Sequence, residues 1–195
     1  MKCISAEQFC YIECDFLYDR NRTRKGEKTM VEYKMLVEQA KMKNKDSFAK
    51  LYELVYQDMY RFALYTLKNP QDAEDVVSDT VIDAYETIRK LRDANAFKGW
   101  IFKILSNKCR RKMKDYVNKT TELPEDLTHN GDFTEDVATR EAFMRLDDGE
   151  RLIISMSIFA GYSSREIGAI LKKSDNTVRS DKSRALKKME VMLNR

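Results

Sequence analysis

Residues 97–114 concentrate seven Lys and Arg side chains and contain no Asp or Glu. On a helical wheel, polar side chains of this segment fall on one face, about a quarter turn from an apolar stripe. These side chains are Lys103, Asn107, Arg110, Arg111 and Lys114. Cationic groups at this density suit contacts with phosphates, and Trp100 at the border of the face offers a ring on which a base can stack. The spacing therefore predicts a nucleic-acid-binding helix. A merely solubilising basic face is the weaker alternative, because no acid interrupts the segment.

The same segment carries an apolar stripe with the spacing i, i+3, i+4, i+7 and i+8, which predicts an α-helix with one buried face. The stripe consists of Phe97, Trp100, Ile101, Ile104 and Leu105. Phe97 and Trp100 fit either plain core packing or stacking on bases. Asn95, just before the helix, supplies both a donor and an acceptor for a base edge.

A second candidate site lies in residues 161–189. Ser163 and Glu166 have the spacing of a capping box at the start of a helix, and Gly168 allows another helix to approach closely. A short turn follows, in which Asp175 or Asn176 can cap the next helix. The arrangement of two short helices around a tight turn predicts a helix-turn-helix.

The second helix of this motif has two distinct faces. Val178, Ala185 and Met189 share the buried stripe, and the roughly opposite face carries Arg179, Ser180, Ser183, Arg184 and Lys187. Arg can bond guanine bidentately, Ser can bond bases or phosphate, and Lys can bond phosphate, so this face suits a DNA major groove. A helical hairpin with a solvated basic face is the alternative.

Charge along the chain alternates in blocks, although the net charge is only +4. Residues 71–88 hold six acids and no bases, and residues 115–136 hold seven acids against Lys119 alone. From residue 161 to the end there are nine bases and four acids. Alternating acidic and basic blocks indicate at least two kinds of partner.

The composition predicts an all-α fold, because Gly and Pro are few and the chain is rich in Lys, Glu, Leu, Ala and Met. No window resembles a membrane span or a signal peptide, and we expect a cytoplasmic protein. Cys3, Cys10, Cys14 and Cys109 have no metal-ligand spacing, and the single His129 lies far from the first three. Free thiols, no metal and no cofactor are therefore expected.

The pattern divides the chain into two small helical domains joined by a flexible linker. A helical domain is predicted over 30–115, an acidic linker over 116–133 and a helix-turn-helix domain over 134–195. Within the first domain, we expect Asp46 to cap a helix and Asp72 to start the acidic helix that follows. The buried face of that acidic helix is predicted to carry Val76, Val77, Val81, Ile82 and Tyr85. Residues 1–29 lack a helical stripe. Either they are a genuine extension, or translation starts at Met30, because the Lys-Gly-Glu just upstream can be encoded by a bacterial ribosome-binding sequence.

Three segments in this order resemble the extracytoplasmic-function sigma factors of bacterial RNA polymerase. They are LKNPQDAEDVVSDTVIDAYETI, FKGWIFKILSNKCRRK and GYSSREIGAILKKSDNTVRSDKSRALKKM. The resemblance runs from about Tyr33 to Asn194 and covers both domains. It implies a sigma factor that binds core RNA polymerase, directs it to promoters of a stress or envelope-signal regulon and helps melt them.

The resemblance also implies roles for individual residues. The acidic helix would dock on the clamp helices of the largest polymerase subunit through Asp72, Glu74, Asp75 and Asp79. The loop at 92–97 and the helix after it would read the promoter minus-ten element through Arg92, Asn95, Phe97, Trp100, Lys103, Asn107, Arg110, Arg111 and Lys114. The minus-thirty-five element would be read by Asn176, Thr177, Arg179, Ser180, Ser183, Arg184 and Lys187. The linker would thread toward the active-site and RNA-exit channel, and an anti-sigma factor would be a further partner.

The chain departs from the family pattern at two places. Asp181 stands where members often carry Arg, and the basic helix ends in CRRKMK, where the family commonly has an acid. The family's promoter preferences are therefore not carried over to this chain.

Other functions explain the pattern less well. An enzyme is not expected, since His129 lies in the linker and no glycine-rich phosphate loop or metal-binding loop occurs. The main alternative is a stand-alone helix-turn-helix regulator, which would bind DNA without polymerase. A protein that only engages a regulator through its acidic helix is a third possibility, against which the basic recognition helix argues.

Overall fold

The computed structural model describes residues 26–119 and 137–194, with side chains over 32–116 and 138–194. All regular elements in these ranges are helical, which confirms the all-α prediction. Residues 1–25 of the predicted extension, with three cysteines, and most of the predicted linker, with His129, lie outside the described residues. The chain divides into two compact units, one within each described range.

The first unit contains four α-helices and two short 3-10 turns. The helices are α1 (Gly26–Lys41), α2 (Lys45–Leu67), α3 (Pro70–Thr87) and α4 (Phe97–Lys119), and the turns are Ile88–Lys90 and Ala94–Ala96. α1 begins before the predicted domain start at 30, and α4 continues past the predicted end at 115. Apolar periodicity fades after Cys109, but Lys112 and Tyr116 both bond Asp72 of α3, which holds the later turns of α4 on the unit.

Polar caps set the ends of these helices. Asn44 caps α2 by accepting a hydrogen bond from the Ser47 amide at 3.0 Å, so the expectation that Asp46 is the cap was wrong. Asp46 instead lies in the first turn, where its negative charge interacts favourably with the positive end of the helix dipole. Asn69 caps α3 in the same way, with Pro70 as its first residue, so this helix begins before Asp72.

The core of the first unit is the shared apolar face of α2, α3 and α4. Leu51, Phe62, Val77, Ile101 and Leu105 are almost completely buried. The rings of Phe62 and Phe102 meet edge-on, with 5.8 Å between their centroids. The apolar stripe predicted for α4 therefore packs in the core and holds this helix on its unit.

One predicted core position was wrong. Ile82, assigned to the buried face of α3, has 58% of its surface exposed, whereas Val76 and Val77 are buried as expected. At about 100° per residue, Ile82 lies about 200° around the helix from the buried Thr80. The side chain therefore lies on the outer face of α3, between acids.

A lysine ties the α1–α2 turn to the end of α3. Lys43 adopts a left-handed backbone conformation with φ +67°, and its ammonium donates to the Tyr85 carbonyl oxygen at 2.7 Å. The same ammonium lies 4.6 Å from the centroid of the Tyr85 ring. A cation at these last carbonyls satisfies acceptors that the helix itself cannot reach and complements its dipole.

The second unit contains α5 (Val137–Met144), α6 (Asp148–Ile158), α7 (Ser164–Leu171) and α8 (Asp175–Leu193). The capping box of Ser163 and Glu166 is present, as predicted, and its hydrogen bonds lower the pKa of Glu166. α8 is capped by Ser174, which accepts from the Thr177 amide. The assignment of that cap to Asp175 or Asn176 was therefore off by one or two positions.

The turn between α7 and α8 is very tight. Lys172 closes α7 in a left-handed conformation, and the Lys173 amide donates to the Gly168 carbonyl oxygen at 3.0 Å. A Cβ added to Gly168 would lie 2.7 Å from the Lys173 carbonyl oxygen. The prediction was that another helix approaches Gly168 closely. The backbone that approaches it is that of the turn and of the first residue of α8. Val178, Ala185 and Met189 form the buried stripe of α8, as expected.

We predict that Gly168→Ala lowers the free energy of unfolding of the second unit by about 1–3 kcal/mol, because the new methyl group collides with backbone. Unfolding of the full chain would be followed by circular dichroism and by fluorescence of Trp100, the single tryptophan, which lies in the first unit. In the Gly168→Ala variant, the midpoint of the transition seen by circular dichroism should fall, because the second unit unfolds more easily. The midpoint of the Trp100 transition should stay unchanged.

Gly149→Ala is the matched control in α6. Its added Cβ would meet only the Asp147 carboxylate, at 3.4 Å, so the gain in helix propensity of about 0.5–1 kcal/mol should prevail. Equal stability of the two variants would show that the α7–α8 turn can shift to accommodate the added methyl group at little cost in free energy.

Candidate nucleic-acid interfaces

The basic face of α4 (Lys103, Asn107, Arg110, Arg111 and Lys114) points away from the core. All five side chains are exposed except that of Arg110, which is half-buried. The buried side chains of the same helix hold the backbone in place, so the face is presented by a fixed scaffold. Phosphate contacts require such cations on a surface that DNA can approach.

The other three bases of the segment 97–114 form ion pairs within the first unit. Lys98 pairs with Asp58 of α2 at 2.8 Å, and Lys108 pairs with Asp83 of α3 at 2.7 Å. Lys112 lies 2.7 Å from Asp72, and this hydrogen bond raises the pKa of the lysine. The seven bases therefore divide into three that bind the helix to its neighbours and four that belong to the basic face.

The two aromatic residues at the start of α4 differ in their surroundings. Phe97 is completely buried, and its ring centroid lies 6.2 Å from that of Tyr33 and 6.0 Å from that of Trp100. Burial raises the pKa of Tyr33 to about 12, so its phenol stays neutral. The assignment of Phe97 to DNA contact is not supported, because its ring is inside the core, where it backs the half-exposed Trp100.

The loop before α4 presents Arg92 and Asn95, both exposed. The Asp93 carboxylate accepts hydrogen bonds from the Asn95 amide at 2.9 Å and from the Asn95 side-chain nitrogen at 3.0 Å. These bonds cap the short helix Ala94–Ala96 and fix the side-chain amide. Sequence reasoning missed Asp93, although an Asp two residues before an Asn is a recognisable signal of such a turn.

The acids of α3 divide in the same way as the bases of α4. Glu74, Asp75 and Asp79 are exposed on one outer surface. Asp72 has only 16% of its side chain exposed, since it accepts from Lys112 and from the Tyr116 hydroxyl. Desolvation and this hydrogen bond raise the pKa of Tyr116. Asp72 therefore serves the α3–α4 contact, and the exposed Ile82, one turn beyond Asp79, adds an apolar side chain that the sequence had placed in the core.

The outer face of α8 presents all the side chains that were predicted to read DNA, each of them exposed. They are Asn176, Thr177, Arg179, Ser180, Ser183, Arg184 and Lys187. The Arg179 guanidinium donates to the Asp175 carboxylate at 2.7 Å, one turn before it on the helix. Val178 and Ala185 are fully buried on the opposite side, so the helix is held against its unit with this face outward.

Asp181 lies on the flank of that face and forms two ion pairs. Its carboxylate accepts from Lys173 in the turn at 2.9 Å and from Arg184 one turn further along α8. The hydrogen bond from Lys173 is the largest cause that lowers the pKa of Asp181. Asp181 is therefore ion-paired both with the turn and with α8 itself.

Comparisons with known proteins agree with this geometry. Sigma-70 region 2 matches residues 51–119, and Sigma-70 region 4 matches residues 137–189. The RNA polymerase sigma factor SigV of Bacillus subtilis is 31% identical over 141 residues, which cover 70% of this chain and 85% of SigV. The ECF sigma factor SigM of Mycobacterium tuberculosis is 25% identical over 151 residues, which cover 75% of this chain and 77% of SigM. The chain belongs to the ECF sigma factors.

A solved structure shares the fold of this sigma factor. The sigma factor RpoE of Bartonella quintana, in complex with the anti-sigma factor NepR, matches with a TM-score of 0.65 and 22% identity, over 75% of this chain and 96% of RpoE. Region 2 comprises α2, α3 and α4, which carry the acidic and basic surfaces, and region 4 comprises α5 to α8. Among the described residues, no helix is long and apolar enough to cross a membrane.

We predict that Asp72→Asn lowers the free energy of unfolding of the first unit by about 1–2 kcal/mol, because Lys112 and Tyr116 lose a charged acceptor. Urea unfolding monitored by Trp100 fluorescence measures this change. The control Asp75→Asn removes an exposed charge and should stay within about 0.5 kcal/mol of the wild type. Equal losses in both variants would contradict the division of the acids into two roles.

Proposed function

We propose that this sigma factor docks on core RNA polymerase through Glu74, Asp75 and Asp79 on the outer surface of α3. These carboxylates project from a helix that is fixed on both flanks, and the exposed Ile82 lies among them. A basic partner helix with an apolar residue at its centre would complement this surface in charge and in hydrophobicity. The clamp helices of the largest polymerase subunit are the partner that the family suggests.

Region 2 of the chain is proposed to open the promoter at the minus-ten element. The phosphates of the DNA backbone would be bound by Lys103, Arg110, Arg111 and Lys114. Trp100 would stack on an unpaired base. The cost of extruding a base is a few kcal/mol, which stacking and hydrogen bonds in the complex offset. Asn95, oriented by Asp93, has a side-chain oxygen without a hydrogen bond among the described residues, and it would accept from the edge of a captured base.

Region 4 is proposed to read the minus-thirty-five element with α8 in the major groove. Arg179 and Arg184 would bond base edges, since 66% and 69% of their side chains are exposed and a guanidinium can bond guanine bidentately. Lys187 and the hydroxyl groups of Thr177, Ser180 and Ser183 would bond phosphates and bases. The observation that carries the proposal is that two exposed basic surfaces and one exposed acidic surface occur in one chain, each on a helix with a separate buried face.

The chain is proposed to act in the cytoplasm as an initiation factor without a catalytic site of its own, since the polymerase performs the chemistry. An anti-sigma factor is a further proposed partner, as NepR is for RpoE. A regulon that responds to stress or to envelope signals fits the family.

Run-off transcription from a pool of genomic fragments tests the proposed function. Core RNA polymerase with the full chain should produce discrete starts that core alone does not produce, and these starts should share two spaced sequence elements. If active core produces no new starts and the chain alone shifts specific DNA, the protein is a stand-alone regulator and the proposal fails.

We predict that Asp75→Arg reduces the affinity for core polymerase by at least about tenfold, because a like charge then faces the basic partner. Competition with a labelled wild-type chain for core measures the loss. Glu32→Arg, which makes the same charge change on an exposed position of α1, is the control and should compete as the wild type does. Unchanged competition by the Asp75 variant would place the docking surface elsewhere.

A further inference from the structure

Asp181 joins two cations that come from different parts of the helix-turn-helix. Lys173 belongs to the turn between α7 and α8, and Arg184 lies on the recognition helix three residues after Asp181. Only 14% of the Asp181 side chain is exposed, although 69% of the Arg184 side chain is. The carboxylate therefore lies behind the guanidinium that projects from the helix.

This arrangement restricts the Arg184 side chain before DNA arrives. Arg has five N–H donors on a planar group, and the bond to Asp181 uses one of its terminal nitrogens, so the other donors of this mostly exposed side chain are not used by the pair. A long side chain loses rotamer freedom when it binds, and a side chain that is already held loses less. Orientation of this kind favours a base edge of matching geometry over a merely attractive phosphate.

The same carboxylate also offsets positive charge at the reading surface. Attraction to phosphates is independent of sequence and grows with the number of cations that replace counterions. Lys173 and Arg184, both paired with Asp181, contribute less to that attraction than two unpaired cations would. Binding to non-promoter DNA is weakened as a result, whereas the oriented base contact is kept.

We propose that Asp181 is a positioning residue for promoter selectivity, which orients Arg184 toward the bases and limits non-specific attraction by Lys173 and Arg184. This inference rests on the proposed reading of the minus-thirty-five element by α8.

The test uses holoenzyme assembled from core polymerase and the full chain. Its affinities for a promoter identified by run-off transcription and for a fragment of the same length without the promoter are measured by competition over a range of salt concentrations. Asp181→Asn should lower the ratio of the two affinities by about three- to tenfold, less than the loss of a whole bidentate contact. For non-promoter DNA, the slope of log K against log salt concentration should become more negative by about one, because cations no longer paired with Asp181 can bind phosphates.

Three further variants separate positioning from net charge. Glu190→Gln removes one negative charge from an exposed position of the same helix and should leave the affinity ratio within about twofold of the wild type. Asp181→Glu keeps the carboxylate and should restore most of the selectivity. In an Arg184→Ala background, Asp181→Asn should lower the ratio much less than it does alone, because the residue acts through Arg184.

Several outcomes would overturn the inference. Equal losses in the Asp181→Asn and Glu190→Gln variants would reduce the effect to net charge. A full loss from Asp181→Asn in the Arg184→Ala background would show that Asp181 acts by another route. If Asp181→Asn unfolds in circular dichroism, Lys173→Gln is the fallback variant, because it removes one cation and leaves the Asp181–Arg184 pair. It should keep the affinity ratio within about twofold of the wild type and should not steepen the salt dependence. A clear loss of selectivity in this variant would overturn the inference. Wild-type holoenzyme without promoter preference would instead refute the proposed function itself.

Discussion

The burial of one face of α4 is the constraint on which the first unit depends. Phe97, Ile101, Leu105 and Cys109 are completely buried, and they recur at intervals of about one turn. Removing these side chains from water contributes on the order of 1.5–3 kcal/mol each for the larger ones, which far exceeds the value of any surface ion pair. Because the apolar face fixes the rotation of the helix, every remaining position is assigned to a neighbour, to the border or to solvent. The basic face is a consequence of this rotation.

Ion pairs across α3 and α4 then decide which charges remain available. Asp72 and Asp83 engage Lys112 and Lys108, and each pair joins positions that are 25 or more residues apart in the chain. What is left is acidic on the outer surface of α3 and basic on α4. The same folded unit thus presents an acidic surface and a basic surface, which the proposed docking on polymerase and the proposed contact with DNA each require.

Local patterns predicted the helices well, and non-local contacts explain where the predictions failed. The Ser163–Glu166 capping box and the buried stripe of α8 need only residues within a few turns, so the sequence was sufficient. Helix starts were predicted less accurately, because residue types that can cap a helix occur close together, as Asn44 and Asp46 do. Ile82 was misplaced because its hydrophobicity alone predicts burial, whereas the rotation of α3 is set by the contacts of the whole unit. The side chains predicted on the outer face of α8 are exposed, as expected. The pairing of Asp72 with Lys112 depends on how α3 and α4 pack, which local patterns do not show.

The backbone contact at Gly168 bears on how region 4 can meet DNA. Since the turn contacts Gly168 of α7 through its backbone, the two helices of the motif are held together at one junction, which restricts pivoting of α8. A rigid reading element cannot adjust to a groove that is too narrow or wrongly twisted, so the DNA must deform to match it. The energy of that deformation depends on the base steps involved, including steps that no side chain touches. On the proposed reading of the minus-thirty-five element, we therefore expect promoters to be selected by stiffness and groove shape as well as by the bases that Arg179 and Arg184 would contact.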